Sequence, residues 1–225
     1  EGKPVWQLLN LKEPKPTITA YTISLSNPEK MMQDAKSKSD YPILKIKLGG
    51  QDDEKCIKAV REGSPNSRII VDANEGWNVE SYNYLVPIFK SIGVELIEQP
   101  FPSNKDHLLK NLDRKIPICA DESCHDVKSL EKLMGLYDYI NIKLDKTGGL
   151  TEAINLLQAA KKSGFKIMLG CMVGTSLAMA PALLLSGECD IVDLDGPLLL
   201  KKDRPNPIRY DDFLAFPISE GLWGV

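Results

Sequence analysis

The chain of 225 residues is 43% hydrophobic and 26% charged, with 28 Lys and Arg against 31 Asp and Glu and a net charge of −3. This composition is that of an ordinary globular protein, and the near balance of charge argues against nucleic-acid binding, which needs a basic surface. No apolar run approaches the roughly 20 residues of a membrane span, and the N-terminus lacks the residue order of a signal peptide, so we expect a cytoplasmic protein.

Short β-branched segments alternate with amphipathic segments along the chain, a pattern typical of βα units around a parallel sheet. We expect residues 1–16 to form a short linker helix. The pair Asn27-Pro28 is typical of a helix start and predicts the first helix that follows a strand. The predicted strands cover residues 17–25, 43–48, 68–74, 94–99, 117–122, 139–145, 166–171 and 190–195. Helices are predicted between them, most clearly over 78–92 and 150–163, and the caps Asn78 and Asp126 mark further helix starts.

Eight parallel strands over residues 17–200 predict a TIM-like barrel, with a doubly wound open sheet as the alternative. Residues 201–225 are rich in proline and have no helical period, so we expect an irregular C-terminal tail. The fold class predicted is therefore α/β, a (β/α)7β barrel with seven helices, preceded by the linker helix of residues 1–16.

Charged side chains occupy the inward face of several predicted strands. In the strand at 43–48, the outward Leu44 and Ile46 turn Lys45 and Lys47 inward. Both faces of a barrel strand should be mostly apolar, and isolated buried charges are costly, so inward charges persist when they are paired, metal-bound or functional. The same alternation turns inward Asp72, Asn74, Asn141, Lys143, Asp145, Asp193 and Asp195.

These charges recur roughly every 25 residues, once per βα unit, at the C-terminal ends of strands, where barrel active sites lie. Asp72, Glu98 and Asp121 on adjacent strands would repel one another without a cation, and the sequence has neither CxxC nor HExxH for zinc. We therefore predict Mg²⁺ on these oxygen ligands, with a structural ring of ion pairs as the alternative. Lys47 and Lys143, on the second and sixth strands, suggest removal and return of a proton at one carbon.

The chain as a whole resembles the enolase superfamily, in its muconate-lactonizing subgroup. The motifs that carry the resemblance are LKIKLGG, VDANEGW, IEQP, ADES, NIKLDKTGGLTEA, GCMVGTS and VDLDGP. The resemblance implies Mg²⁺ held by Asp72, Glu98 and Asp121, and an enediolate formed with Lys47 and Lys143 as opposed acid and base. It also implies an N-terminal capping domain, which we do not find in this chain, so we expect the chain to be the barrel part of a longer protein.

The substrate contacts follow from the same resemblance. Asp193 and Asp195 are similar to the Asp-x-Asp of dipeptide epimerases, which holds the α-ammonium group, and Lys45 would lie beside the substrate carboxylate. The loop with Met172 has no Lys or Arg, which predicts an apolar C-terminal side chain in the substrate. We further expect Asn74, Glu122 and Asp145 to hold the metal ligands and lysines in place.

The leading hypothesis is a Mg²⁺-dependent dipeptide epimerase that inverts the α-carbon of the C-terminal residue of L-Ala-D/L-Xaa. An N-acylamino-acid racemase or o-succinylbenzoate synthase and a cycloisomerase share the predicted metal site, but their substrates give Asp193 and Asp195 no α-ammonium to bind. A barrel that binds a metal or ligand without catalysis is the alternative from another class, and a Schiff-base aldolase using Lys143 would leave the carboxylates unexplained. The expected partners are a dipeptide substrate and other copies of the chain, with no nucleic acid and no membrane.

Overall fold

The computed structural model describes residues 2–218 and 221–223. The chain divides into two compact units. We call Tyr21–Ile140 the central unit, and Glu1–Ala20 with Asn141–Val225 the terminal unit. Within the described ranges, no helix has the length and apolar character needed to cross a membrane.

Strands and helices alternate along most of the chain. The strands are β1 (Thr17–Ile18), β2 (Tyr21–Ile23), β3 (Ile43–Lys47), β4 (Arg68–Asp72), β5 (Val94–Glu98), β6 (Ile118–Ala120), β7 (Tyr139–Ile142), β8 (Lys166–Leu169), β9 (Ile191–Val192), β10 (Tyr210–Asp211) and β11 (Leu214–Ala215). The α-helices are α1 (Val5–Leu8), α2 (Pro28–Ser37), α3 (Asp53–Gly63), α4 (Val79–Ser91), α5 (Leu130–Leu133), α6 (Leu144–Thr147), α7 (Leu150–Lys162) and α8 (Ser176–Leu183). Short 3₁₀ helices cover Ser103–Asn111, Val127–Ser129, Ser186–Glu188 and Gly196–Leu199.

The central unit contains a parallel sheet whose strands pair in chain order from β2 to the start of β7. Its middle strands are buried on both faces, as expected for a parallel sheet covered by helices. The register aligns Lys47 with Asp72, and Asp72 with Glu98. Three charged side chains therefore lie side by side at the C-terminal ends of β3, β4 and β5.

Two α-helices of the central unit, α2 and α4, begin where the sequence predicts. The side chain of Asn27 accepts a hydrogen bond from the Lys30 amide at the start of α2, and Asn78 caps α4 in the same way. The connection between β5 and β6 is a 3₁₀ helix over Ser103–Asn111 and not the expected α-helix. Leu109 is the one buried residue of that segment, so the segment lacks the apolar stripe that would stabilise an α-helix against the sheet.

The terminal unit has parallel pairing between β8 and β9. The Gly170 amide after β8 donates to the Ile142 carbonyl at 2.9 Å, and the Ala20 amide donates to the Val192 carbonyl of β9 at 2.8 Å. Helix α7 buries an apolar face, with Ala153, Leu156, Leu157 and Ala160 inside.

Two sequence predictions are wrong in detail. Residues 17–25 are not one strand, because the Thr19 amide bonds to Phe213 while the Ala20 amide bonds to Val192, and the chain changes partner between them. The tail is not wholly irregular, because β11 pairs antiparallel with both β1 and β10.

Candidate active site

Three carboxylates converge in the central unit. Asp72 ends β4, Glu98 ends β5, and Asp121 follows β6 directly. They are 0%, 0% and 3% exposed, and one oxygen of each lies within 4.8 Å of the others. A cluster of buried carboxylate oxygens at this spacing has the donor chemistry that Mg²⁺ takes, so the residues present fit the predicted metal.

Both lysines of β3 contact the carboxylates. The Lys45 Nζ lies 3.1 Å from the Asp72 Oδ2 and 2.8 Å from the Glu98 Oε2, and its side chain is 3% exposed. The Lys47 Nζ lies 2.7 Å from the same Asp72 oxygen, but its side chain is 31% exposed. The structure therefore places Lys45 between two carboxylates and leaves Lys47 accessible from solvent.

The charge state of Asp72 follows from these contacts. Burial acts to raise the pKa of this carboxyl, but the charges of Lys45 and Lys47 and the hydrogen bond from Lys47 outweigh it, and the pKa lies below the ordinary value. Asp121 acts in the opposite direction, as a like charge does. Asp72 is therefore held ionised, which is the form that ligates a metal.

Asn74 lies between Lys47 and Glu122 and is hydrogen-bonded to both side chains. The Asn74 Oδ1 accepts a hydrogen bond from the Lys47 Nζ at 2.8 Å, and the Asn74 Nδ2 donates to the Glu122 Oε1 at 3.2 Å. The Asn74 amide also donates to the Asp72 Oδ1 at 3.0 Å. Burial and the neighbouring Asp121 raise the pKa of Glu122.

A buried carboxylate that sequence reasoning missed joins the loops after β3 and β4. Asp53 accepts hydrogen bonds from the amides of Gly49 and Gly50 and, at 2.7 Å, from the Trp77 Nε1. The loop that follows Lys47 is thereby fixed to the loop that follows Asp72. The spacing of Gly-Gly and Asp within one turn of a helix start was the available signal, because an Asp in a first turn accepts backbone N–H groups.

Gln99 is a second residue that sequence reasoning missed. Its side chain is fully buried, and its Oε1 accepts from the Asp121 amide at 2.9 Å. The available signal was its place inside the IEQP motif, directly after the predicted ligand Glu98.

The terminal unit carries the other predicted side chains. Lys143, just after β7, and Asp193 and Asp195, just after β9, are all buried although their side chains are ionisable. Met172 is 47% exposed in the loop after β8. A Cβ added at Gly196 would lie 2.8 Å from the Met172 carbonyl oxygen, so this glycine lets the loop approach the backbone next to Asp195.

The position of Asp145 differs from the prediction. Strand β7 ends at Ile142, and Asp145 lies exposed in α6. Strand alternation stops once the helix begins, so the inward orientation expected for Asp145 is wrong. The expectation that Asp145 supports the metal ligands or lysines assumed a buried side chain, and the side chain is exposed.

Residues 29–215 match the family described as enolase C-terminal domain-like. The N-acetyl-D-glutamate racemase of Pseudoalteromonas sp. is 46% identical over 222 residues, which cover 99% of this chain and 70% of that protein. The L-Ala-D/L-Glu epimerase of Escherichia coli K12 is 41% identical over 205 residues, which cover 90% of this chain and 64% of that protein. The chain thus spans 64% to 70% of the length of these two curated relatives.

Solved structures give the same picture. One is an enolase family member from Agrobacterium tumefaciens with homology to dipeptide epimerases, solved with bound sodium and L-Ala-L-Glu. It matches with a TM-score of 0.94 at 47% identity, and the match covers 97% of this chain and 67% of that chain. The dipeptide epimerase of Cytophaga hutchinsonii, complexed with Mg and D-Ala-L-Val, has a TM-score of 0.88 at 29% identity and covers 95% of this chain and 62% of its own. These matches confirm the predicted α/β barrel fold class.

Proposed function

The chain belongs to the enolase superfamily, and on that premise we propose that it is the barrel part of a Mg²⁺-dependent epimerase acting on L-Ala-D/L-Xaa dipeptides. The observation that carries the proposal is the buried cluster of Asp72, Glu98 and Asp121 with the accessible Lys47 beside it. A protein that only bound a metal would need the carboxylates but not a base at their edge. The relatives named as epimerases and racemases support an isomerase.

Each group has a defined task in this proposal. Asp72, Glu98 and Asp121 would hold the cation, which when bound supplies positive charge to the substrate carboxylate as the α-proton leaves. Lys47 removes or returns a proton on one side of the α-carbon, and Asn74 fixes the direction of its ammonium group.

The remaining charged groups complete the assignment. Lys143 exchanges the proton on the other side of the same carbon, and Asp193 and Asp195 bind the α-ammonium of the dipeptide. The Lys45 ammonium reduces the repulsion between Asp72 and Glu98 and adds positive charge near the substrate carboxylate.

Isotope exchange tests this function directly. The protein is incubated with L-Ala-L-Glu or L-Ala-L-Val and Mg²⁺ in D₂O. NMR should then show deuterium at the α-carbon of the dipeptide's C-terminal residue. Lys47→Ala and Lys143→Ala should each abolish complete epimerisation, because each removes one of the two proton carriers. Absence of exchange with every dipeptide in the wild-type protein would overturn the proposal.

The second candidate is an N-acylamino-acid racemase, which the 46% identity to an N-acetyl-D-glutamate racemase favours. The two activities differ in whether the substrate has a free α-ammonium. Replacing Asp193 and Asp195 together by Asn should lower kcat/KM for a dipeptide far more than for N-acetylglutamate. A wild-type preference for N-acetylglutamate would establish the racemase as the main activity.

The side chain on the reacting carbon has two candidate classes. The loop with Met172 predicts an apolar residue, but the relatives at 41% and 46% identity are both named for glutamate substrates. We therefore propose glutamate, and the ratio of kcat/KM for L-Ala-L-Glu to that for L-Ala-L-Val decides between them.

We propose a cytoplasmic location and a homo-oligomeric assembly that binds neither nucleic acid nor membranes. None of the five cysteines, all of which lie in the described part of the chain, forms a disulfide bond, which suits a reducing compartment. Light scattering during size-exclusion chromatography measures the oligomeric state, and a monomer would contradict the assembly.

A further inference from the structure

Gln99 is a buried polar residue that the mechanism above does not use. It follows Glu98 directly, its side chain is 0% exposed, and its φ of 36° lies in the left-handed region. Residues other than glycine rarely adopt this conformation, and they keep it only when the surrounding contacts fix it. The contacts of Gln99 therefore hold its backbone and its side chain in place.

The carbonyl end of the Gln99 side chain faces the turn that carries Asp121. Its Oε1 accepts from the Asp121 amide at 2.9 Å and from the Ser123 amide at 3.2 Å. Strand β6 ends at Ala120, so this oxygen fixes the backbone of Asp121 just beyond the end of the strand. Backbone amides only donate, so an oxygen and not an NH₂ group must face them.

The side-chain amide nitrogen of Gln99 lies within hydrogen-bond distance of three oxygen atoms on the side opposite Asp121. Its Nε2 lies 2.9 Å from the Phe101 carbonyl, 2.8 Å from the Ser123 Oγ and 3.0 Å from the Tyr137 hydroxyl. The Tyr137 hydroxyl in turn donates to Asp106 at 2.6 Å. Acceptors on this side and donors on the other fix the amide in one orientation.

We propose that Gln99 is a positioning residue that sets the separation of the Glu98 and Asp121 carboxylates and so controls the affinity for a divalent cation. It is bonded covalently to one ligand residue and by hydrogen bonds to the backbone of the other. The inference rests on the proposed metal site. Outer contacts of this kind commonly change metal affinity by 10- to 100-fold when they are lost.

Titration with Mn²⁺, followed by electron paramagnetic resonance, tests the proposal without relying on activity. Gln99→Met keeps the size of the side chain but removes all its hydrogen bonds, and we expect its Kd for Mn²⁺ to rise about 10- to 100-fold. Val60→Ala, in the buried face of α3, is the control that lowers Tm without touching a ligand. Gln99→Met with a lowered Tm but the wild-type Kd would reduce Gln99 to a structural role and overturn the inference.

A second variant decides the matter if Gln99→Met does not fold. Ser123→Ala with Tyr137→Phe removes two of the contacts that fix the Nε2, so the Oε1 is no longer held in one orientation toward the Asp121 amide. We expect its Kd for Mn²⁺ to rise several-fold, and an unchanged Kd overturns the inference. Wild-type protein that binds no Mn²⁺ would instead overturn the metal site itself, and the inference with it.

Discussion

The two lysines of β3 lie two residues apart on one strand but differ in exposure to solvent. Lys45 is enclosed between Asp72 and Glu98, and moving it would leave two buried carboxylates without its charge. Lys47, two residues further, keeps its ammonium on Asp72 and Asn74 while part of its side chain meets solvent. A base must reach the proton that it removes, so this difference in exposure supports the proposal that Lys47 and not Lys45 is the base.

Asn74→Ala tests the support of Lys47. The variant loses the oxygen that accepts from Lys47 and the amide that donates to Glu122. We expect kcat/KM for α-proton exchange to fall about 10- to 100-fold while the Kd for Mn²⁺ changes by less than about threefold, because the carboxylates keep their own contacts. Asn74→Asp retains an acceptor for Lys47 and tolerates the φ of 42°, so it should keep more activity. Equal losses of activity and metal affinity would contradict this division.

Glu188 gives a prediction for the dependence of stability on pH. Its carboxylate lies 2.6 Å from the Lys12 Nζ and 2.8 Å from the Lys161 Nζ, and these contacts lower its pKa to about 2. A carboxyl whose pKa is lower in the folded state stabilises the fold above its unfolded pKa of about 4.5, and this is lost as pH falls toward 2. The groups are exposed, so we expect Glu188→Gln to reduce the free energy of unfolding by less than about 1 kcal/mol at neutral pH.

Denaturant unfolding of wild type and Glu188→Gln across this range of pH provides the measurement. The difference in free energy of unfolding between the two proteins should shrink as pH falls from 4.5 to 2. It should also shrink at high salt, which screens exposed charges. A difference that stays constant with pH would show that the carboxylate charge is not its source.

At the scale of elements, α2 and α3 pack closely because α3 ends in glycine. A Cβ at Gly63 would lie 2.4 Å from the Met32 carbonyl oxygen and 3.1 Å from the Ala35 Cβ. The first distance is far shorter than any van der Waals contact, and the atom met is backbone, so a larger residue would force the helices apart. The close packing of α2 against α3 therefore depends on the absence of a side chain at Gly63.

Gly63→Ala should therefore destabilise the protein by about 1–3 kcal/mol, the usual cost of overfilling a packed interface. Gly187→Ala is the matched control, because a Cβ there meets nothing within 4 Å, and its effect should stay within about 0.5 kcal/mol. Urea unfolding of the two variants checks the comparison. Similar stabilities for both would mean that α2 and α3 shift apart at little cost.

The elements also show which features a sequence can reveal. The caps Asn27 and Asn78 were predictable because each side chain bonds to an amide three residues away. The break at Thr19 was not, because its partner Phe213 lies at the other end of the chain. The carboxylate cluster was predictable from strand alternation and spacing, whereas the role of Gln99 depends on a backbone amide of a different strand connection.

At the scale of the whole molecule, folding gathers Asp72, Glu98 and Asp121, and Lys45 and Lys47 are close counter-charges to two of them. A bound divalent cation would offset the remaining repulsion. Any ligand that binds only the folded state stabilises it, by about 2.7 kcal/mol at a concentration 100 times its Kd.

Mg²⁺ should therefore raise Tm in proportion to the logarithm of its concentration above Kd, and EDTA should reverse the rise. Asp121→Asn should abolish the rise in Tm that Mg²⁺ causes. Asp113→Asn, at an exposed position, should leave that rise intact. Differential scanning calorimetry with and without Mg²⁺ measures both. The same rise in Asp121→Asn as in wild type would place cation binding elsewhere.

The central unit is one uninterrupted stretch of the chain, Tyr21–Ile140, and it contains Asp72, Glu98 and Asp121. In evolutionary terms, two crossovers in a gene are enough to transfer the three proposed cation ligands together from one gene to another. The flanking segments, with the loop of Met172, can then diverge without altering these three carboxylates. A chimeric gene built at these crossovers should inherit its metal affinity from the parent that supplies Tyr21–Ile140.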